Sequence, residues 1–365
     1  MVANDRVGWI VRAGARWVAF ALVASIGLAA GGAGDAVARE SAAAASRSVD
    51  IEARSIPHFR ASSPGQSVFG RLKYRGGLSL TSADSAFGGW SGLVIEPDGR
   101  RILAVSDTGA WLSAEMVYRG DAPVGLTKAL MGPVVALKGR ALDTKRDLDA
   151  ESMTAYSGDL SHGSVLIGFE RNHRIGVFPV ENHVLMAPVR YLKLPPEARH
   201  MRRNAGFEAV VVLRDGPFKG SVVAFSERYP GPTEHHTGWI WVRNAPQRLS
   251  LVDHGGFDIT DAASLPDGTL VLLERRFRWT EGVKMRLRRF PADAVKPGAV
   301  LDGEVLLEAD LTSQIDNMEG LAAHRSPSGE IVLTVLSDNN FNTFLQRNLL
   351  LQFTLLDDNA AAKKP

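Results

Sequence analysis

The stretch that decides the fold is ESMTAYSGDLSHGSVLIGFER, residues 151–171. It opens with an acidic and a small residue, passes through a Gly-containing turn, and ends in a second apolar strand that closes on Glu170-Arg171. Related openings begin at residues 91, 151, 208, 261 and 319, with spacings of 60, 57, 53 and 58 residues. A period of this size predicts a ring or stack of similar units, because one unit cannot bury its apolar faces alone.

Each repeat has room for four strands. In the repeat that starts at Glu151, we expect them at 152–156, 164–169, 174–180 and 189–194. Asp-Gly or Ser-Gly pairs recur between first and second strands, at 98–99, 215–216, 267–268 and 328–329. Such pairs accept the positive φ of tight hairpins. The pattern predicts an all-β fold, a β-propeller built from four-stranded antiparallel blades.

The last repeat ends without an outer strand. Its second and third strands are expected at 331–336 and 349–356, and the chain stops soon afterwards. Residues 70–80, which precede the first repeat, are available to complete this blade. We therefore predict a ring closed by pairing of N- and C-terminal segments, which removes the exposed edges of an open sheet. The repeats predict five blades, or six if the insertions at 112–150 and 280–318 hold another.

The termini carry different signals. Residues 1–38 have a basic start, an apolar run at 17–34 and an Ala-Val-Ala end, which together predict a Sec-type signal peptide. An uncleaved anchor is the alternative, because an 18-residue run is at the lower limit for spanning a bilayer. We expect cleavage, no stable membrane insertion afterwards, and a periplasmic or secreted bacterial protein. Residues 39–66 are predicted to be a flexible linker, 67–357 the propeller, and 358–365 a frayed tail.

Charge and cysteine content exclude several classes of function. The chain has 42 Lys and Arg against 40 Asp and Glu, and its predicted mature part has 39 against 38. This balance predicts no nucleic-acid partner and no acidic-membrane partner. The absence of cysteine excludes disulfides and thiol catalysis. The sequence gives no basis for predicting the oligomeric state.

Carboxylates recur at two places in the repeats, the openings and the ends of the second strands. The openings contribute Glu151, Glu208, Asp261 and Glu319, and the strand ends contribute Asp107 and Asp338 together with Glu170, Glu227 and Glu274. Equivalent positions of a ring meet near its axis, so we expect a site for a hard cation such as Ca²⁺, which takes six to eight oxygen ligands. The alternative is that these acids pair with arginines of neighbouring blades and only hold the ring together.

Basic residues next to these acids predict the substrate side of the site. The expected anion-binding residues are Arg171, Arg228, Arg275 and His173. Arginine binds carboxylate and phosphate groups through two donors at once, so the predicted partner is a small anionic substrate such as a phosphate ester.

Several phrases resemble the phytase-like family described as "esterase-like activity of phytase". They are Asp149-Ala150-Glu151-Ser152-Met153, Gly168-Phe169-Glu170-Arg171-Asn172, Asn204-Ala205-Gly206-Phe207-Glu208-Ala209, Asp316-Asn317-Met318-Glu319-Gly320-Leu321 and Leu336-Ser337-Asp338-Asn339-Asn340-Phe341. The resemblance covers about residues 70–356. It implies a propeller hydrolase similar to the calcium-dependent propeller phytases, which hold calcium ions with clustered acids at one face. Lysines are sparse near the openings, which leaves phytate and smaller phosphate esters both open as substrates.

The expected function is therefore that of an exported, metal-dependent phosphoesterase. The nucleophile would be a water bound to the metal, so no catalytic protein side chain is predicted. Two alternatives stay open. One is a non-catalytic propeller that binds a ligand or a protein, with structural acids. The other is a lactonase-like or carboxylesterase-like hydrolase that uses the same axial metal.

Overall fold

The computed structural model describes residues 45–201, 206–226 and 235–356. The strands of the first part of the chain are β1 (Arg47–Ser48), β2 (Glu52–Ile56), β3 (Val68–Phe69), β4 (Leu72–Thr81), β5 (Trp90–Ile95), β6 (Arg101–Ser106), β7 (Ala110–Arg119), β8 (Ala122–Pro133), β9 (Ala150–Gly158), β10 (His162–Phe169), β11 (Arg174–Glu181), β12 (Val184–Leu185) and β13 (Arg190–Tyr191). The remaining strands are β14 (Phe207–Val212), β15 (Val222–Ser226), β16 (His235–Val242), β17 (Ala245–Val252), β18 (Asp258–Ser264), β19 (Leu270–Arg278), β20 (Gly282–Phe290), β21 (Val300–Leu301), β22 (Glu304–Asp310), β23 (Asn317–Arg325), β24 (Ile331–Asp338) and β25 (Asn348–Leu355).

Helices are few and short in the described ranges. They comprise α1 (Lys145–Leu148) and two 3₁₀ turns, Leu137–Gly139 and Pro196–His200. None of the helices in these ranges is long and apolar enough to cross a membrane. The predicted signal peptide and the predicted frayed tail lie outside the described residues.

The strands form five sheets, and each sheet is one blade of a propeller. From the inside outwards, blade one is β5-β6-β7-β8-β1, blade two β9-β10-β11-β12 with β13 also on β11, blade three β14-β15-β16-β17-β21, blade four β18-β19-β20-β22, and blade five β23-β24-β25-β4-β2 with β3 also on β4. The inner strands β5, β9, β14, β18 and β23 contact one another in turn and close the ring. The prediction of an all-β propeller is confirmed, with five blades.

The insertions that allowed for a sixth blade belong to existing blades. Residues 110–133 form the long hairpin β7–β8 of blade one. The segment 280–318 holds β20 and β22 of blade four, and β21, which pairs with β17 of blade three. The pairing of β21 with β17 links the chain of blade four to the outer edge of blade three.

Blade five is closed as predicted, by both ends of the chain. β4 pairs antiparallel with β25, so that Leu78 lies opposite Leu350. β2 then pairs with β4 at the outside of the same blade.

The segment predicted as a flexible linker, 39–66, is structured where it is described. β1 pairs with β8 at the edge of blade one, β2 pairs with β4, and Phe59 is fully buried in a cluster with Phe69 and Phe353. The segment was interpreted as a linker because edge strands carry polar residues on their exposed side, and this gives the segment the composition of a linker. The folded domain therefore begins about 20 residues earlier than predicted.

The core is divided into five apolar clusters, one between each pair of neighbouring blades. Alternate residues of an inner strand enter different clusters. Leu93 packs between blades five and one, whereas Val94 packs between blades one and two. Side chains of adjacent strand residues point to opposite faces of a sheet, and here both faces are covered by a blade. This explains why inner strands such as β5 are buried at every position and show continuous apolar runs.

Candidate functional site

Each inner strand has a β-bulge at the same place, just after its start. The ladder register shifts between Trp90 and Gly92 in β5, and the corresponding shifts lie around Glu151 in β9, Glu208 in β14, Thr260 in β18 and Glu319 in β23. A bulge leaves one residue without a direct partner and re-aims its side chain. The five bulge residues are thus Ser91, Glu151, Glu208, Thr260 and Glu319, one from each blade at the same end of the axis.

Blade four is offset by one residue from the alignment of the openings. The bulge residue is Thr260, and Asp261 follows it. Asp261 is fully buried, and its carboxylate accepts hydrogen bonds from the backbone N–H groups of Ala262 (2.8 Å) and Leu321 (2.7 Å). The second of these bonds joins β18 to β23. The structure therefore holds Asp261 between blades four and five, where burial and then the charge of Glu319 raise its pKa.

The same offset applies at the end of the second strand of blade four. In the other blades, Asp107, Glu170 and Asp338 each come one residue after the strand partner of the residue that precedes the bulge. In blade four, Arg275 holds this position, and Glu274 comes one residue earlier. Glu274 lies within blade four, where Arg286 (2.7 Å) and Arg288 donate to its carboxylate.

Seven carboxylates gather at the mouth of the ring where the inner strands begin, and we call them the axial acidic cluster: Asp107, Asp149, Glu151, Glu170, Glu208, Glu319 and Asp338. Ligand oxygens of Asp149, Glu151 and Glu170 lie within 4.8 Å of one another. The charges of Glu208 and Glu319 act on Glu151, and those of Asp107 and Glu319 act on Asp338. Four of the five blades contribute to this cluster.

Three basic side chains border the cluster. Lys145 in α1 bridges Asp107 and Asp149, with its Nζ 2.8 Å from an oxygen of the latter. Arg171 pairs with Asp149 and lies 4.0 Å from Glu170. Lys145 and Arg171 lie close to Asp149 because α1 and the turn after β10 both end beside that residue.

The third basic side chain, Arg275, reaches from blade four to blade five. Its guanidinium lies 3.3 Å from a carboxylate oxygen of Glu319 and donates to Asn317. The amide of Asn317 in turn donates to Glu319 at 2.7 Å. When every group of the site is ionised, three cations face seven carboxylates, and a net charge of −4 remains.

This excess of negative charge shows in the ionisation of the cluster. Burial raises the pKa of Glu151 well above its ordinary value, and the charges of Glu208, Glu319 and Asp149 raise it further. Burial also raises the pKa of Glu319, although Arg275 and Asn317 oppose the shift. Burial and the charge of Glu319 raise the pKa of Asp338 to about 8. Crowded carboxylates with raised pKa values are typical of a site that gains stability from added positive charge.

The donor set fits a hard metal ion. The ligand atoms of the cluster are carboxylate oxygens. Among the described residues, the group whose ligand atoms lie within 4.8 Å of one another contains neither a thiolate nor an imidazole. One oxygen of Asp107, Oδ1, is buried and accepts no hydrogen bond from the residues described. Oxygen ligands in a shell of this kind suit Ca²⁺ or Mg²⁺ rather than Zn²⁺ or copper.

A glycine, Gly89, supports the rim of the cluster. Gly89 has a φ of +68°, and a Cβ at this position would lie 2.4 Å from Oδ1 of Asp107. Its N–H donates to the side chain of Asn339 in blade five at 3.3 Å. The close approach that holds Asp107 in place thus requires glycine.

The residues predicted from sequence fall into three groups. Brought together at the cluster are Glu151, Glu208, Glu319, Asp107, Asp338, Arg171 and Arg275. Asp261 is fully buried between blades four and five, where backbone N–H groups bind its carboxylate, and His173 packs edge to face against Phe207, with ring centroids 6.5 Å apart. Arg228 and Glu227 lie outside the described residues.

Sequence reasoning missed Lys145 and Asp149 as site residues. Asp149 stands two residues before Glu151 in one of the phrases that resemble the family, and this place was a usable signal. Lys145 comes from the connection between blades one and two, which has no counterpart in the other repeats and therefore no repeat signal.

The fold and the site together define a five-bladed β-propeller with an acidic, oxygen-rich cluster at one axial mouth. The chain belongs to the phytase-like family: the family model described as "esterase-like activity of phytase" matches residues 85–341. A search of curated proteins finds no match. The matched region begins just before β5 and includes every residue of the axial acidic cluster. Family membership and the propeller fold support a hydrolase.

Proposed function

We propose that this protein is a calcium-dependent phosphoesterase that hydrolyses small phosphate esters at the axial acidic cluster. The observation that carries the proposal is the crowding of seven carboxylates against three cations at the mouth of the ring. Ca²⁺ accommodates six to eight oxygens in flexible geometry, whereas Mg²⁺ demands a near-octahedral shell and keeps several waters. A cluster drawn from four blades supplies many oxygens at once, which favours Ca²⁺.

Asp149, Glu151 and Glu170 are the first candidates to hold the ion, because their oxygens already lie within 4.8 Å of one another. Glu208, Glu319, Asp107 and Asp338 extend the shell around them. When bound, the ion would supply positive charge for the phosphoryl oxygens and would lower the pKa of a water molecule at the site.

The basic residues of the rim would bind and orient the phosphate. The side chains of Lys145 and Arg171 are each 43% exposed and that of Arg275 is 29% exposed, so a substrate can reach all three. Their partners hold them at the mouth: Asp149 orients Lys145 and Arg171, and Asn317 orients Arg275. Guanidinium groups bind phosphate oxygens in pairs, which fixes the ester relative to the cluster.

The proposal is tested by the hydrolysis of p-nitrophenyl phosphate and phytate. Activity should disappear after treatment with a chelator and return with Ca²⁺. Glu319→Gln should abolish turnover while the circular dichroism spectrum stays unchanged, and Arg171→Gln should raise KM about tenfold or more, the loss of one charge-assisted hydrogen-bonded contact. The matched control is Arg54→Gln, an exposed arginine of the outer strand β2. Absence of turnover of both esters by calcium-loaded protein would overturn the proposal and favour a ligand-binding propeller.

We also propose that the protein is exported and acts in the periplasm or outside the cell. The support is the basic start, apolar run and Ala-Val-Ala end of residues 1–38. The test is cell fractionation followed by mass spectrometry of the mature N-terminus, with Arg39 expected as its first residue. Recovery of the intact chain from the cytoplasm would contradict export.

A further inference from the structure

A cavity opens at the end of the propeller axis that lies opposite the axial acidic cluster. The inner strands run from the axial acidic cluster at their first residues to this cavity at their last. Its volume is about 290 Å³, and a smaller space of about 50 Å³ shares several of its lining residues, among them Ile95 and Arg214. The walls include Ile95, Ala155, Leu160, Pro266 and Ala323. A volume near 300 Å³ is at the small end of ligand-binding pockets, which are mostly apolar with a few polar groups.

One guanidinium lies across this apolar mouth. Arg214 lies two residues after the inner strand β14 of blade three, and its Nη2 donates to the backbone carbonyl of Ala155 in blade two at 3.0 Å. Its own N–H donates to the hydroxyl of Ser264 in blade four at 3.0 Å. These two bonds fix the arginine between blades, and the other guanidinium N–H groups have no hydrogen-bond partner among the described residues.

Arg214 has no carboxylate partner among the residues that the structure describes. Burial lowers the pKa of its guanidinium, and no nearby acid raises it. Two acids, Glu96 and Asp159, also line the cavity, but backbone N–H groups occupy them. Leu160 donates to Glu96 at 3.2 Å, and Ser161 donates to Asp159 at 2.7 Å. A partly desolvated guanidinium that has no carboxylate partner is suited to bind an anion through its N–H donors.

Other polar residues of the cavity do not neutralise Arg214. Arg325 adds a second guanidinium, which donates to the carbonyl of Gly329 at 2.6 Å. His324 stays uncharged at neutral pH, because burial and then the charge of Arg75 lower its pKa to about 4. The cavity thus combines apolar walls with two arginines, Arg214 and Arg325, and two hydrogen-bonded acids, Glu96 and Asp159.

We propose that this cavity binds a small organic carboxylate with an apolar body, such as a short fatty acid or an aromatic acid, through Arg214. Its carboxylate would take two N–H donors of the guanidinium, and its apolar part would lie against Ile95, Ala155 and Ala323. The site is distinct from the axial acidic cluster, since its ligand is held by arginines and needs no metal.

Isothermal titration calorimetry with hexanoate and benzoate tests the proposal, using the intact mature protein. Both acids should bind, whereas hexanol and hexylamine, which share the apolar body, should bind at least tenfold more weakly. Arg214→Gln should weaken hexanoate binding at least tenfold, and Arg54→Gln should leave it unchanged. Ala323→Leu, which fills the apolar wall and keeps the arginine, should also weaken binding.

Three results would overturn the proposal: equal binding of hexanoate and hexanol, unchanged affinity in Arg214→Gln, or loss of hexanoate binding on addition of a chelator. The last result would assign the acid to the axial acidic cluster. Because hexanoate binding is measured directly, its failure is distinguishable from a failure of phosphoesterase activity. Melting curves of both arginine variants show whether a weak binder is still folded.

Discussion

Glu151→Gln should stabilise the protein in the absence of calcium and reduce its stabilisation by calcium. Glu151 lies among four other carboxylates of the axial acidic cluster, and burial together with their charges raises its pKa. A carboxyl whose pKa is raised on folding stabilises the fold at low pH, and this contribution is lost as the pH rises through the folded-state pKa. At pH 7.5 in a chelator, the glutamine variant escapes this cost and should melt at a higher temperature than the wild type.

Calcium should then stabilise the variant less than the wild type, because the variant lacks one ligand. Changes in the outer shell of a metal site cost 10–100-fold in affinity, so a direct ligand should cost about 100-fold or more. At saturating calcium a 100-fold loss removes about 2.7 kcal/mol of stabilisation. The unfolding entropy of about 2.1 cal/mol/K per residue gives roughly 0.6 kcal/mol/K for the 300 residues described. The melting temperature should therefore rise about 4 °C less on calcium addition than in the wild type.

The assay is differential scanning calorimetry at pH 7.5, with chelator and with a calcium series. Glu308→Gln, the same change at an exposed position of β22, is the control and should behave as the wild type in both conditions. The reasoning is refuted if Glu151→Gln lowers the melting temperature in chelator and retains the full calcium response. Glu151 would then be a structural acid whose charge the fold needs.

Three further predictions concern other parts of the ring. Glu274→Gln should destabilise the protein by about 3–5 kcal/mol in urea unfolding, because Arg286 and Arg288, both buried, would lose their carboxylate. Gly89→Ala should weaken calcium binding measured by calorimetry, because the added Cβ would lie 2.4 Å from the Asp107 carboxylate and the backbone has a positive φ. The free energy of unfolding should fall by about 3 kcal/mol because of His324 as the pH falls from about 6.5 to about 4. The pKa of His324 is lowered on folding, so the unfolded chain takes up the proton first. His324→Gln should remove that part of the pH dependence of the unfolding free energy.

Each of these predictions has its own control. Glu308→Gln serves for Glu274, and a loss below 1 kcal/mol in Glu274→Gln would show that the arginines do not depend on it. Gly65→Ala serves for Gly89, because a Cβ there meets no atom within 4 Å; equal calcium affinity in the two variants would contradict the steric argument. Parallel acid profiles of wild type and His324→Gln would show that folding does not lower the pKa of His324.

The blade count and ring closure were predictable because they depend on repetition. Five openings, recurrent hairpin turns and an incomplete last repeat each report on the backbone, and the structure contains all three features. The early start of the domain was not predictable from composition. The strands before residue 67 are short and lie at the edges of blades one and five, so their exposed sides carry the polar residues expected of a linker.

Side-chain placement in the site was predictable only to within one residue. The repeat phrase identified Glu151, Glu208 and Glu319, but in blade four it selected Asp261, although the bulge residue is Thr260. In a strand, a shift of one residue moves a side chain to the opposite face. Bulges are set by backbone pairing between strands, so spacing along the chain does not reveal which residue carries one.

This one-residue offset decides what a Glu-Arg pair does in each blade. In blade two, Glu170 joins the axial acidic cluster and Arg171 borders it. In blade four, the pair is shifted, so that Glu274 is enclosed with two arginines inside the blade and only Arg275 reaches the mouth. The same dipeptide therefore gives the site an acid and a base in one blade and a base alone in the other. The sequence allowed two roles for such pairs, which were to hold the ring together or to form the site. The register of the strand decides which of these roles the pair has in each blade.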